Sequence, residues 1–468
     1  MESKYLCVFQ APHELNSMLV NRLLLIFTAV ICTLSHQTLN AQSANYDHVL
    51  PSDVDAIFEE YDETTGGCAV GVTDRGELIF SKGYGMANLD YGIPLEPDSR
   101  LMIASISKQF AAAAMLMMEQ EGVLDLDEDL RTYIPELPEF SDPITARQLI
   151  HHTSGLRDLF SLLHLKDLGL DPPTTTKDAL EIISNQKSLN FKPNTRHIYS
   201  NSGYVLMSVL AENLTGMSLR EYTKKHFFEP LGMESTHFHD DLGMVVPKRA
   251  DSYRPTADGY GRFYRDNIDR VGARGLFTTV EDFAKWEANF IENRSNLDNF
   301  SERMTKLGAY NNGRQHSYAA GLRIRGYRTL RTVGHGGNYM GFRSSYIRFP
   351  GYELGVMVFC NMSNISPAGY AHDVADLFLM NEFANIFSRY TGTYHNENFG
   401  QNYELIIEDG NLYLKRSLRD KLKLDWEDND KFSADNWEIK FQRNSGSITG
   451  FTVQTDRTGK ITFNRVER

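Results

Sequence analysis

Ser105-Ile106-Ser107-Lys108 stands at the start of an apolar run that extends from Phe110 to Met118. On a helix, Ser105 and Lys108 sit one turn apart on a shared face. An amine so placed can take the proton of a serine hydroxyl without any histidine, which is the chemistry of acyl transfer. The tetrad alone is weak evidence, because Ser184-Asn185-Gln186-Lys187 repeats it. A serine here also serves as a plain helix N-cap beside a solvated lysine. Two later segments add functional groups: Tyr199-Ser200-Asn201 supplies a phenol and a carboxamide, and His335-Gly336-Gly337 an imidazole and permissive backbone. Tyr-x-Asn recurs at Tyr310 and Tyr394, so the ordered set carries the weight.

The elements that must position these groups are legible in outline. Cys68–Thr73 and Glu77–Phe80 flank Asp74-Arg75-Gly76 as a hairpin. The bland Ala/Met run predicts a central buried helix over Ser105–Glu121, stopped by Gly122. Residues 123–290 read mainly as helices, among them Val205–Leu214 with Gly216 behind it, and one opened by a capping box at Thr279-Val280-Glu281-Asp282. Strand patterns return at Leu330–Gly334, Gly341–Phe349 and Leu354–Cys360, and the pattern over Ala371–Ile386 is helical. His335 then falls at the end of the first late strand. Strands at both ends of a helical middle define an α+β domain with a helical insertion. From residue 389 the alternation at Tyr403–Ile407, Leu412–Leu414, Trp437–Phe441 and Ile461–Phe463 predicts a small all-β barrel.

Composition narrows the function. The chain has 468 residues, 41% of them hydrophobic, and a net charge of −13, which argues against general nucleic-acid binding. The twelve-residue, largely apolar stretch Leu23–Leu34, behind Arg22 and before Leu39-Asn40-Ala41, suits a signal peptide and is too short for a stable membrane span. The expected division is a signal peptide over 1–41, with translation starting at Met18, a catalytic domain over 42–388 and a β-domain over 389–468. Export would place the protein in the periplasm or outside the cell. Cleavage near Ala41 leaves Cys68 and Cys360, either as buried thiols or as a pair.

In these motifs the chain resembles the serine β-lactamase and penicillin-binding-protein superfamily, nearest its class C-like branch of esterases, D-aminopeptidases and DD-peptidases (peptidase S12 type). The resemblance rests on five stretches: the Ser105–Lys108 tetrad; Leu149–Leu156; Tyr199–Asn201 running on to Pro230–Thr236; Gly275–Trp286; and Gly334–Phe342. They span about 55 to 385 in the family's order. It implies a β-lactamase/transpeptidase-like antiparallel sheet with helices on both faces, a helical subdomain and an appended lipocalin-like barrel. That barrel would stabilise the chain, form oligomers or narrow the site's mouth; the oligomeric state is left open.

The resemblance also implies roles. Ser105 is the nucleophile. Lys108 and Tyr199 relay the proton, with the choice of base open, and Asn201 orients the substrate amide. The oxyanion hole is formed by the backbone N–H groups of Ser105 and Asn338. Gly336 and Gly337 let the backbone run close to the ligand. No metal or cofactor is called for: His13-Glu14 has Ser17 where a zinc site needs a second histidine, and no G-x-S-x-G elbow occurs. His335 replaces the lysine of the family's Lys-Thr-Gly, and a neutral imidazole holds a substrate carboxylate less well. Arg343 is a candidate replacement charge. The substrate is then a small molecule or short peptide, an ester or amide ahead of a β-lactam or DD-peptide; a non-catalytic acylated sensor is the alternative of another class. His151 and His152 read as structural. Asn194, where the family carries glycine after Pro193, tolerates positive φ and keeps the turn.

Overall fold

Six strands form one antiparallel sheet in the order β3-β4-β5-β6-β1-β2. They are β1 (Cys68–Asp74), β2 (Glu77–Tyr84), β3 (Arg323–Tyr327), β4 (Leu330–Tyr339), β5 (Phe342–Phe349) and β6 (Leu354–Cys360). The structure is a computed structural model that describes residue 46 and residues 48–167, 174–263, 269–417 and 420–466; the expected signal segment lies outside these. Arg75 and Gly76 turn the first hairpin with φ of 47° and 82°, the geometry that two-residue hairpins require.

β1 and β6 are buried along their whole length, because both faces of the sheet are covered. Ala69, Met357 and Phe359 belong to the core beneath the helical lobe, whereas Val70, Val356 and Val358 point to a second core on the opposite face. The period of two along each strand produces this division. Cys68 and Cys360 are register partners across β1 and β6, and they form a buried disulfide.

Between the two halves of the sheet lies the helical lobe. Its central helix α1 (Lys108–Gln120) is preceded by a 3-10 turn over Ala104–Ser107, so the expected helix is present with a tighter first turn. Lys108 through Met118 are all buried. Against it pack α3 (Asn201–Thr215), ended by Gly216 at φ 69°, and α4 (Val280–Glu292), while α2 (Leu159–Leu165) packs on α3. Thr279 caps α4 by accepting the Asp282 N–H at 3.0 Å. The expected capping box is only half realised, since the Asp282 carboxylate accepts instead from Ser235 N–H and Lys285.

At the end of the domain one expectation shifts and another holds. The helical pattern over 371–386 belongs to two helices, α5 (Pro367–Phe378) and α6 (Met380–Ser388), which meet at Leu379. Eight strands between Gly392 and Arg465 then close into a barrel, the last pairing with the first. Its interior is filled by aromatic rings: Phe451 lies 5.0 Å from Tyr394, 5.6 Å from Phe441 and 4.9 Å from Phe463 between centroids. Residues 43–468 form one compact unit. The barrel reaches the catalytic part where Gly410 abuts Met380 and where the Trp426 ring approaches Gly326 of β3. Among the described residues no helix is long and apolar enough to cross a membrane.

Candidate active site

Ser105 lies in the 3-10 turn, and Lys108 begins α1 behind it. The lysine is completely buried. Its Nζ lies 3.1 Å from Ser105 Oγ, 2.9 Å from Asn201 Oδ1 and 2.7 Å from Ala273 O. The last two can only accept, and a neutral amine has two N–H bonds to give them. Its lone pair is then left for the one partner that can donate, the serine hydroxyl. Burial pushes the Lys108 pKa well below its ordinary value; Asp158 opposes this, while Arg274 and Arg323 add to it.

Asn201 opens α3, and its amide orientation is fixed from both sides. Asp158 Oδ1 accepts from the Asn201 backbone N–H at 2.6 Å and from Nδ2 at 2.8 Å, which turns Oδ1 toward Lys108. The other Asp158 oxygen accepts the Ser161 N–H and caps α2. Asn201 thus faces the lysine with its acceptor.

Tyr199 stands on the open side of the serine. Its hydroxyl is buried and falls short of full hydrogen-bond geometry with any partner. Burial pushes its pKa up, and the Ser105 hydroxyl is the main group pulling it back. His152, buried at φ 56°, holds its ring tilted 4.2 Å from that of Tyr199, and its Nδ1 accepts the Ser200 N–H at 3.2 Å. It is a brace for the Tyr199 segment. Asn194 keeps its turn at φ 57°.

The third wall is β4. The strand does not end before His335 but runs on to Tyr339, so His335, Gly336, Gly337 and Asn338 lie within it. β3 pairs only with Leu330–Gly334, which leaves the 335–339 stretch as an open edge beside Ser105. A Cβ on Gly337 would fall 2.3 Å from Ile103 O and 2.2 Å from Ser344 Oγ, so only glycine permits this close approach. The Ser344 hydroxyl spans that contact by donating to Ile103 O at 2.8 Å. Next to it Ala104 is held at φ 48°, a region that costs a residue with a side chain about 1–2 kcal/mol. Gly336 faces open space, where a Cβ would come no nearer than 3.6 Å to Ser344 O. Gly337 therefore serves the fold of the nucleophile turn, and Gly336 keeps the cleft clear.

His335 is buried, and both ring nitrogens are engaged inside the protein. Nδ1 lies 2.6 Å from Gly336 O, which can only accept, so Nδ1 carries the hydrogen; Nε2, 3.1 Å from the Tyr318 hydroxyl, accepts. Burial lowers its pKa to about 3, so the imidazole is neutral. Arg343, the candidate replacement charge, does line the cleft, with its Nη1 donating to Met340 O and Phe342 O.

Three neighbours escaped the sequence reading. Asp158 holds Asn201, Tyr318 holds His335, and Arg323 on β3 places its guanidinium carbon 5.6 Å from the Tyr199 ring centre and 5.5 Å from that of Tyr318. For the first, the signal that could have found it is an N-capping aspartate before the Leu159–Leu165 run. Ser105, Tyr199, Arg323 and the 334–338 stretch line one cleft of about 760 Å³. A second hollow, of about 480 Å³, opens on the other side of Tyr199 between Asp158, Asn201, Leu162 and Ile198.

A sheet flanked by helices, with serine and lysine at the head of a buried helix and a glycine-bearing strand edge opposite, is the architecture of the β-lactamase and penicillin-binding-protein superfamily of serine hydrolases. The family model described as Beta-lactamase matches residues 54–378, and the chain belongs to this family. A D-aminopeptidase of Gluconobacter oxydans is 28% identical over 310 residues, covering 66% of this chain and 58% of its own length. The chain thus spans less than two thirds of that relative. A penicillin-binding protein of Bacillus subtilis is 25% identical over 394 residues, 75% of this chain and 84% of that one. The octameric penicillin-binding protein homologue from Pyrococcus abyssi superposes with a TM-score of 0.62 at 22% identity, over 88% of this chain and 98% of its own.

Proposed function

We propose that this chain is a serine hydrolase that opens esters or amides through an acyl-enzyme on Ser105. The observation that carries this reading is the buried Lys108 amine, whose two obligate acceptors leave its lone pair for the serine hydroxyl 3.1 Å away.

The steps follow from the protonation states. Lys108, whose pKa burial lowers, takes the Ser105 proton in its neutral form as the oxygen attacks the substrate carbonyl. Backbone N–H groups of Ser105 and Asn338 hold the resulting oxyanion. Tyr199, whose raised pKa keeps its phenol protonated, gives that proton to the leaving nitrogen or oxygen as the carbonyl bond to it breaks. The ammonium on Lys108, 4.8 Å from the Tyr199 ring centre, then restores the phenol. Water repeats the sequence on the acyl-enzyme and frees Ser105. Burial thus favours Lys108 over Tyr199 as the base.

The named activity of the relatives, D-aminopeptidase, points to an amide of a D-amino acid as the first substrate to try. Neutral His335 leaves β-lactams and DD-peptides as the second. The test is turnover of a short-chain aryl ester, a D-alanyl amide and a penicillin by the wild type and Ser105→Ala. Ester and amide turnover absent from Ser105→Ala supports the reading, and undiminished turnover overturns the mechanism. A penicillin turned over faster than the ester would reverse the order of substrates.

We also propose that the chain is exported, divided near residue 389, and active with its barrel attached. The apolar Leu23–Leu34 stretch and the Cys68–Cys360 disulfide support export. N-terminal sequencing of the protein recovered outside the cytoplasm should begin near residue 42.

A further inference from the structure

The cleft beside Ser105 differs in charge from the chain around it. The protein carries 61 acidic against 48 basic residues, yet among the described residues no aspartate or glutamate lines the cleft, while Arg323, Arg325 and Arg343 do. None of the three has a carboxylate partner among the described residues. Both lining histidines, His335 and His372, are pushed toward neutrality by burial. The positive charge of the cleft is therefore arginine charge, and low-dielectric walls focus such a field on whatever enters.

Two of these arginines have a defined spacing. Arg323 and Arg325 are alternate residues of β3, opposite Gly334 and Thr332 of β4. Alternate strand residues share a face and lie roughly 7 Å apart. Arg323 is held over the Tyr199 and Tyr318 rings, beside the phenol assigned above to protonate the leaving group. Arg325 lies farther along β3, toward the stacked Tyr327 and His372 rings, 4.1 Å apart, that also line the cleft. Arginines on an outer strand also guard it against pairing with another chain. That role does not require the clamp of Arg323 between two rings, nor a cleft free of acids.

We propose that the group leaving Ser105 is an amine with two carboxylates, of the glutamate type, its first carboxylate paired with Arg323 and its second with Arg325. The inference rests on the acyl-enzyme reading. It restores anion recognition at a cleft where the imidazole of His335 cannot supply it, from a strand outside β4, and extends it to a second negative charge. A planar guanidinium binds a carboxylate through two parallel hydrogen bonds.

The test uses the full chain acylated by the aryl ester, with glutamate, glutamine or glutaminamide, each as D and L forms, added as acceptor. The amine site is the leaving-group site run in reverse, and the readout is the amide formed per unit of acyl-enzyme. Glutamate should divert the acyl group about tenfold better than glutamine, and glutamine about tenfold better than glutaminamide, each step corresponding to one charge-assisted contact. Both ratios should shrink at high salt. Arg325→Gln should bring the first ratio to near one and keep the second; Arg323→Gln should collapse the second; Arg325→Lys should recover part of the first. Equal diversion by glutamate and glutamine, no diversion by any acceptor, or a first ratio unmoved in Arg325→Gln overturns the proposal. If the aryl ester gives no Ser105-dependent acylation, the fault lies with the acyl-enzyme reading instead.

Discussion

Asp158 grips Asn201 by both of its N–H groups, at 2.6 and 2.8 Å through a single carboxylate oxygen. The carboxamide therefore has one orientation, with its oxygen on Lys108. Asp158 also sits near enough to raise the lysine pKa against the dominant effect of burial. Asp158→Asn should act in two ways. Freed to rotate, Asn201 loses its hold on Lys108, and kcat for the ester should fall about 10–100-fold, the span of 1.4–2.8 kcal/mol. The acid limb of the pH–rate profile should move to lower pH, because the active form is the neutral lysine and removing a nearby anion stabilises it. A fall in kcat with an unmoved acid limb would contradict the electrostatic half of this account.

Lys108 should cost stability where it serves chemistry. Its pKa is depressed by burial in the folded state and ordinary, near 10.5, when unfolded. The unfolded chain then binds the extra proton below that value, so the folded state loses stability as pH falls from about 10.5 toward the depressed pKa. Chemical denaturation of Lys108→Met against wild type should show the variant gaining relative stability from pH 10.5 down to neutrality, with esterase activity lost. A difference independent of pH would mean that the lysine is charged in the fold.

The two cleft glycines should separate. Gly337→Ala puts a Cβ 2.3 Å from Ile103 O and should displace the nucleophile turn, lowering acylation by more than about a hundredfold, on the order of 3 kcal/mol. Gly336→Ala meets nothing closer than 3.6 Å. It should fold with an unchanged melting temperature and raise KM through the methyl group in the cleft. Melting curves and steady-state kinetics of both variants decide this.

The filled barrel implies a packing role. Phe451 is fully buried among Tyr394, Phe441 and Phe463. Phe451→Ala should lower stability by about 3–5 kcal/mol, the usual cost of emptying a ring from a core. Denaturant unfolding measures it.

Ser105, Lys108, Tyr199, Asn201 and His335 were legible because each carries its chemistry in its residue type and stands in a short local frame. The structure does bring them together. β3 was not legible: Arg-Ile-Arg-Gly-Tyr is short, charged and interrupted by glycine, and it pairs as an outer strand only because β4 is already in place. His335 was assigned to a strand end and Gly337 to a close approach of ligand, whereas the tertiary approach to Ile103 is what requires Gly337. The hold of Asp158 on Asn201 joins residues 43 apart in sequence, a distance over which local pattern says nothing. The disulfide was open for the same reason, since register between β1 and β6 fixes it.

Ser105 becomes acylated because Lys108 takes its proton. Rapid-quench intact-mass measurement with the aryl ester, followed by peptide mapping, decides this. One acyl group per chain is expected on the peptide holding Ser105, formed within the first turnover, with no adduct on that timescale in Ser105→Ala or Lys108→Ala. An adduct of equal size and rate in Lys108→Ala, or one mapped to another residue, would contradict it.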